Sequence, residues 1–160
     1  FYCRNIALQY GLENITDKVF LSGLLHDLGK IILLSTNSEL SNWISDITMN
    51  REIRTTTIIE EISIGVSHSS IGELIADKWR MPEYLIESIK YHHSPLDASK
   101  EYKEVVYITY LANMLCGIEE NRYDFLFLEE DVLNMFKFTS EEKFQKLHNN
   151  LKNKYNTSVE

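Results

Sequence analysis

Apolar residues recur at helical spacing along most of this chain, and sustained strand-like alternation is absent. Residues 2–10 read as a short helix stopped by Gly11, and Thr16-Asp17 offers a cap for a longer one through about Leu34. In the longer segment Phe20, Leu24, Leu28, Ile31 and Ile32 fall on one broad face. Leu21, Leu25 and Leu34 widen it until little polar surface remains, which predicts the buried central helix of a bundle. A third helix is expected over Leu40 to Met49 and a fourth from about Arg54 to Ile64, before Gly65. Thr55-Thr56-Thr57-Ile58-Ile59 is β-branched and would suit a strand, but Glu60-Glu61-Ile62 follows and no partner strand exists, so helix is predicted.

Ser70 and Glu73 fit a capping box, with Ser67 as a competing earlier cap, for a helix ending near Trp79-Arg80. Pro82 suits the first turn of the next, which carries Tyr84, Leu85, Ile89 and His92 up to the stop at Ser94-Pro95. Residues 96–101 read as a linker. A long helix follows over roughly Tyr102 to Ile118, then a short acidic-capped one near Glu129 to Phe136 and a last one marked by Thr139 and Glu142. The expected fold is a single all-α, multi-helical bundle over residues 1–160. Phe1 opens on a helical pattern already under way, so an upstream helical portion is expected.

A chain of 160 residues can bury roughly two-thirds of the surface its unfolded form exposes, so size alone demands no disulfide, metal or partner. The formal net charge of −8, with acidic residues at Glu60-Glu61, Glu119-Glu120 and Glu129-Glu130-Asp131, disfavours nonspecific nucleic-acid binding. Lys143, Lys146, Lys152 and Lys154 make the tail locally basic, as a solvated helix face would. Cys3 and Cys116 form no framework or CxxC pair. His26, Asp27 and Lys30 interrupt the apolar run from Val19 to Leu34, so no transmembrane segment is expected; the opening residues lack a signal-peptide pattern, and a cytoplasmic location is the expectation.

Five residues carry the candidate chemistry: His26 and Asp27 within the apolar run, His68 beside a helix start, and His92-His93 before Ser94-Pro95. On a continuous helix His26 and Asp27 are separated by about 100°, so they either approach one ion or face different neighbours. A hard carboxylate oxygen with imidazole nitrogens suits manganese, iron, zinc or nickel better than calcium. The structural alternative is a polar core network, with Asp27 bonded to a helix end and one of His92 and His93 capping last-turn carbonyls. Gly23 and Gly29 cost a helix about 1 kcal/mol each relative to alanine, which points to close helix approach. Lys30 offers a cation for a phosphate contact; no other catalytic group is evident. Tyr91, Tyr102, Tyr107 and Tyr110 suit a ligand pocket or packing, and Phe125 to Leu128 a docking edge or burial under the last helix.

The run Gly23-Leu24-Leu25-His26-Asp27-Leu28-Gly29-Lys30, then Glu61, Gly65 and His68, then Ile71-Gly72, Trp79 and Pro82, and finally Ile89 with His92-His93-Ser94-Pro95, resembles the HDOD family. This is a bacterial branch of the HD phosphohydrolase superfamily, and the likeness extends from Phe1 to about Cys116. It implies an all-helical core of a signalling protein. Matched to the related HD-GYP phosphodiesterases, the metal-binding positions fall on Arg4, His26, Asp27, His68, His92, His93 and Asn113. Arg4 stands where that branch has histidine, and Asn113 where it has aspartate. Of the two ions the resemblance implies, the one that would use Arg4, His26, Asp27 and Asn113 is expected to be lost, with Arg4 pairing to Asp27 instead.

The other set, Asp27, His68, His92 and His93, with His26 as ligand or supporting residue, suffices for a single divalent transition ion. The expected function is therefore signal transduction through a protein or ligand contact, without two-metal phosphodiesterase activity. The alternatives are a one-metal phosphohydrolase acting on a nucleotide or cyclic dinucleotide, and a purely structural scaffold.

Overall fold

The computed structural model of the protein describes residues 1–35, 42 and 56–159. Among these residues there are helices and turns but no strand. In chain order the α-helices are α1 (Tyr2–Gln9), α2 (Thr16–Leu25), α3 (Leu28–Ser35), α4 (Thr56–Ile64), α5 (His68–Lys78), α6 (Glu83–Tyr91), α7 (Lys103–Glu119), α8 (Glu130–Met135) and α9 (Glu141–Val159). The helix expected over Leu40 to Met49 lies outside the described residues except for Asn42, as does the start of the fourth near Arg54.

The central element is α7, whose Val106, Ile108, Leu111 and Leu115 have no solvent exposure. A helix apolar on nearly every side satisfies its surface only when wrapped by others. Ile6 of α1, Val19 of α2 and Phe144, Leu147 and Leu151 of α9 share one core with it. Tyr107 and Tyr110 belong to this core, and the Tyr110 hydroxyl accepts the Glu129 N–H at 3.0 Å, so these two tyrosines pack rather than line a pocket. A smaller cluster joins Ala76 of α5 to Leu85 and Ile89 of α6.

The single long helix expected from Thr16 to Leu34 is instead two, divided at His26-Asp27. The His26 N–H still bonds to the Ser22 carbonyl at 2.9 Å, but the Lys30 N–H reaches the Asp27 carbonyl, three residues back, at 2.9 Å and starts a new helix. The break interrupts the apolar register. Phe20, Leu24, Ile31 and Ile32 are exposed, whereas Val19, Ser22 and Leu33 are buried, so the face turned inward is not the one the spacing marks. Nor does Thr16 cap α2, because its hydroxyl donates to the Glu13 carbonyl at 3.0 Å. At α5 the earlier of the two candidate caps is used: Ser67 accepts the Ser70 N–H, and Glu73 pairs with Lys90 of α6 at 2.6 Å.

At Gly29 the backbones of α3 and α5 are in contact. A Cβ there would lie 1.9 Å from the His68 carbonyl oxygen and 2.7 Å from the Gly72 nitrogen, both backbone atoms that cannot step aside. At Gly72 a Cβ would lie 2.5 Å from the Ile89 Cγ2 and 3.3 Å from the Gly29 nitrogen, so the hardest clash falls on a side chain rather than on backbone. Gly29→Ala is expected to lower unfolding free energy by about 3 kcal/mol in urea melts, and Gly72→Ala by less. Equal losses would contradict this reading of the crossing.

Candidate metal centre

Four helix ends bring the ionisable side chains together. Asp27 leaves the chain at the α2–α3 break, His68 is the first residue of α5, and His92 and His93 follow the last turn of α6. Side chains at such junctions are free of the packing stripe of either helix, so they can converge. One ligand atom from each of Asp27, His68, His92 and His93 lies within 4.8 Å of every other. His68 and His92 are fully buried.

The outer nitrogens fix how the rings present themselves. His92 Nδ1 is 2.7 Å from the Ile89 carbonyl oxygen and His26 Nδ1 is 2.9 Å from that of Gly23. A carbonyl only accepts, so both Nδ1 atoms carry hydrogen and the neutral rings offer Nε2 as a lone pair. His68 Nδ1 lies 2.7 Å from Glu60 Oε2, which also accepts the His68 backbone N–H at 2.8 Å. A metal-bound histidine is commonly held in this way, with its far N–H on a carboxylate or carbonyl. His92 thus caps its helix, as the structural alternative requires, and remains available as a ligand.

What the inner nitrogens meet is unfavourable unless a proton or a metal ion lies among them. His68 Nε2 and His92 Nε2 face each other at 3.1 Å, and each is 3.3 Å from Asp27 Oδ1. Asp27 Oδ1 and His93 Nε2 are buried and make no hydrogen bond. Orphaned polar atoms of this kind cost about 1–3 kcal/mol each, a cost that a shared ion removes. The donor set of one carboxylate oxygen and three imidazole nitrogens therefore fits a divalent transition ion, of an identity the residues alone leave open among manganese, iron, zinc and nickel.

Charge reinforces the arrangement. Burial pushes the Asp27 carboxyl upward, but His68, His92, His26 and Lys30 outweigh it and hold the group well below the usual carboxylate range. Burial pushes His92 down to about 4 and His93 well below the ordinary histidine value. His26 is lowered for the same reason. In His68 burial acts in that direction too, yet Asp27 and Glu60 prevail and raise it, so a proton competes with an ion there.

Several expectations are redrawn by this geometry. Arg4 is exposed, and it is Lys30, 2.8 Å from Asp27 Oδ2, that supplies the fixed positive charge beside the carboxylate. Lys30 is closer because it is one turn along the same helix start. His26 reaches Asp27 Oδ2 at 3.4 Å and stands beside the four-residue cluster rather than within it. Asn113 lines a cavity of about 560 Å³ together with His26 and Asp27. Glu60, counted among surface acids in the sequence, is only 2% exposed. The signal that could have found it is a glutamate on the helix preceding a candidate ligand histidine.

In metal-free protein at pH 8, nitrogen NMR should show His26 and His92 protonated at Nδ1. Protonation at Nε2 in either ring would contradict the assigned donors.

The HDOD domain family matches residues 1–95, more than half of the chain. An uncharacterized protein of Treponema pallidum (strain Nichols) is 26% identical over 145 residues, which cover 91% of this chain and 28% of that protein. Among solved structures, a crystal structure described as "Putative phosphohydrolase" from Shewanella amazonensis SB2B superposes with a TM-score of 0.66 at 16% identity, over 95% of this chain and 55% of that one. The likeness shows a shared fold, and the chain spans about a quarter of the first relative and about half of the second. With helices, residue pattern and histidine-aspartate cluster in agreement, the chain belongs to the HDOD domain family.

Proposed function

We propose that this chain is a one-ion domain that transmits a signal through protein or ligand contacts, without two-metal phosphodiester hydrolysis. The observation carrying the proposal is the convergence of His68 Nε2, His92 Nε2 and the unbonded Asp27 Oδ1, with His93 completing the set. Asp27, His68, His92 and His93 would hold the ion, and when bound it would supply Lewis acidity. The chain's own residues do the rest: Glu60 and the Ile89 carbonyl orient two of the rings, and Lys30 balances the carboxylate charge. A second ion lacks support, because Arg4 is exposed and cationic and Asn113 offers a neutral amide.

The second reading, a one-metal phosphohydrolase of a nucleotide or cyclic dinucleotide, draws on the cavity beside His26 and Asp27, which is of small-ligand size. Of the carboxylates in its walls, Glu119 is held by Tyr2 and His148 and Glu120 by Arg122. Arg122, the arginine among its lining residues, is engaged by Glu120 at 2.6 Å.

Zinc or manganese titration followed by calorimetry should give about one ion per chain, as the one-carboxylate, three-imidazole set implies. Asp27→Asn should abolish this binding while leaving the helical circular dichroism intact. The loaded protein should cleave bis(p-nitrophenyl) phosphate and cyclic dinucleotides no faster than buffer. Turnover lost in Asp27→Asn would establish the phosphohydrolase instead, and absence of binding together with unfolding of the variant would establish a structural cluster.

A further inference from the structure

We propose that Glu60 is a positioning residue through which ion occupancy sets how firmly α4 is docked; this rests on the one-ion reading above. The physical basis is an imbalance in how α4 is anchored. Of its side chains from Thr57 to Ile64, only Ile59 and Glu60 are buried, while Ile58 and Ile62 are 54% and 81% exposed. An amphipathic helix ordinarily docks through a stripe of apolar residues, so α4 depends unusually on a carboxylate. That carboxylate is costly to bury unless it is well partnered.

Its partner is the candidate ligand itself. Glu60 Oε2 accepts both the backbone N–H and the Nδ1–H of His68, at 2.8 and 2.7 Å. The opposite nitrogen of the same ring faces Asp27 and His92. A cation on Nε2 withdraws electron density from the ring, makes Nδ1–H a stronger donor and shortens the path by which Glu60 holds α4 to the first turn of α5. The coupling is reciprocal: whatever secures α4 also orients His68 and tightens the ion. Neither Ile59 nor any other described side chain of α4 offers this route, because Glu60 is its hydrogen-bond link to the cluster.

Hydrogen exchange of the whole chain with and without zinc reads this directly. In the unsubstituted protein, zinc should slow amide exchange across residues 57–64 by about tenfold or more, while α7 is unaffected. Glu60→Gln keeps the size but loses the charge, and Glu60→Asp keeps the charge but loses reach. Each should weaken zinc binding by about 10–100-fold and, at saturating zinc, leave α4 exchanging at its metal-free rate. The Nδ1 proton of His68 should shift on zinc addition in the unsubstituted protein and do so less in Glu60→Gln, a change that a merely structural role would not produce. If zinc binds and α4 exchange is unchanged, this coupling is overturned and the one-ion reading stands. If neither zinc nor manganese, iron or nickel binds the unsubstituted protein, the one-ion reading falls and the coupling with it. The comparison with and without zinc needs no variant, so misfolding of either substitution does not remove the test.

Discussion

Three imidazole rings are aimed at one carboxylate by the groups behind them, and much of the architecture serves that aim. The Gly23 and Ile89 carbonyls and the Glu60 carboxylate occupy the Nδ1 atoms of His26, His92 and His68, which leaves their Nε2 atoms turned toward Asp27. Such a convergence needs side chains that project from ends rather than from helix faces. The break between α2 and α3, the first residue of α5 and the last turn of α6 provide those ends. Gly29 then allows the α3 backbone to lie directly against the His68 carbonyl. Replacing that hydrogen with a methyl would move the ligand as well as the helix.

The two cores divide the labour. Around α7 the apolar side chains of α1, α2 and α9 form a continuous interior that supplies the bulk of the hydrophobic stabilisation. The cluster on α5 and α6 is smaller, and it adjoins a polar region that includes His68 and His92, both fully buried. Burying so many ionisable groups opposes folding unless their partners are fixed. The unbonded Asp27 Oδ1 and His93 Nε2 show where that compensation is incomplete among protein groups. The feature that would suit an ion is thus also a weakness of the fold without one.

Helical spacing made the fold class and most element positions legible, since α1, α5, α6, α7, α8 and α9 follow local caps, stops and apolar periodicity. The histidines that converge on Asp27 were legible too, as polar residues placed against helix ends. The division at His26-Asp27 was not, because it depends on the polar side chains finding partners on α5 and α6, which local spacing does not encode. Phe20, Leu24, Ile31 and Ile32 read as one buried face and are exposed, because spacing shows that a helix has an apolar face but not which neighbours cover it. Glu60 was hidden beside Glu61 in what reads as an acidic surface pair; only the tertiary approach of α4 to His68 separates the buried one from the exposed one. Arg4 shows the opposite failure. Its charge suggested a pair with Asp27, but Lys30 already sits one turn away from that carboxylate.

The most direct test is element-specific anomalous X-ray scattering from crystals grown with zinc or manganese. A single peak in bonding contact with Asp27, His68, His92 and His93, with none between Asp27 and Asn113, is the predicted result. A map without a peak at those four side chains, or with two ions bridged by Asp27, would contradict a one-ion centre.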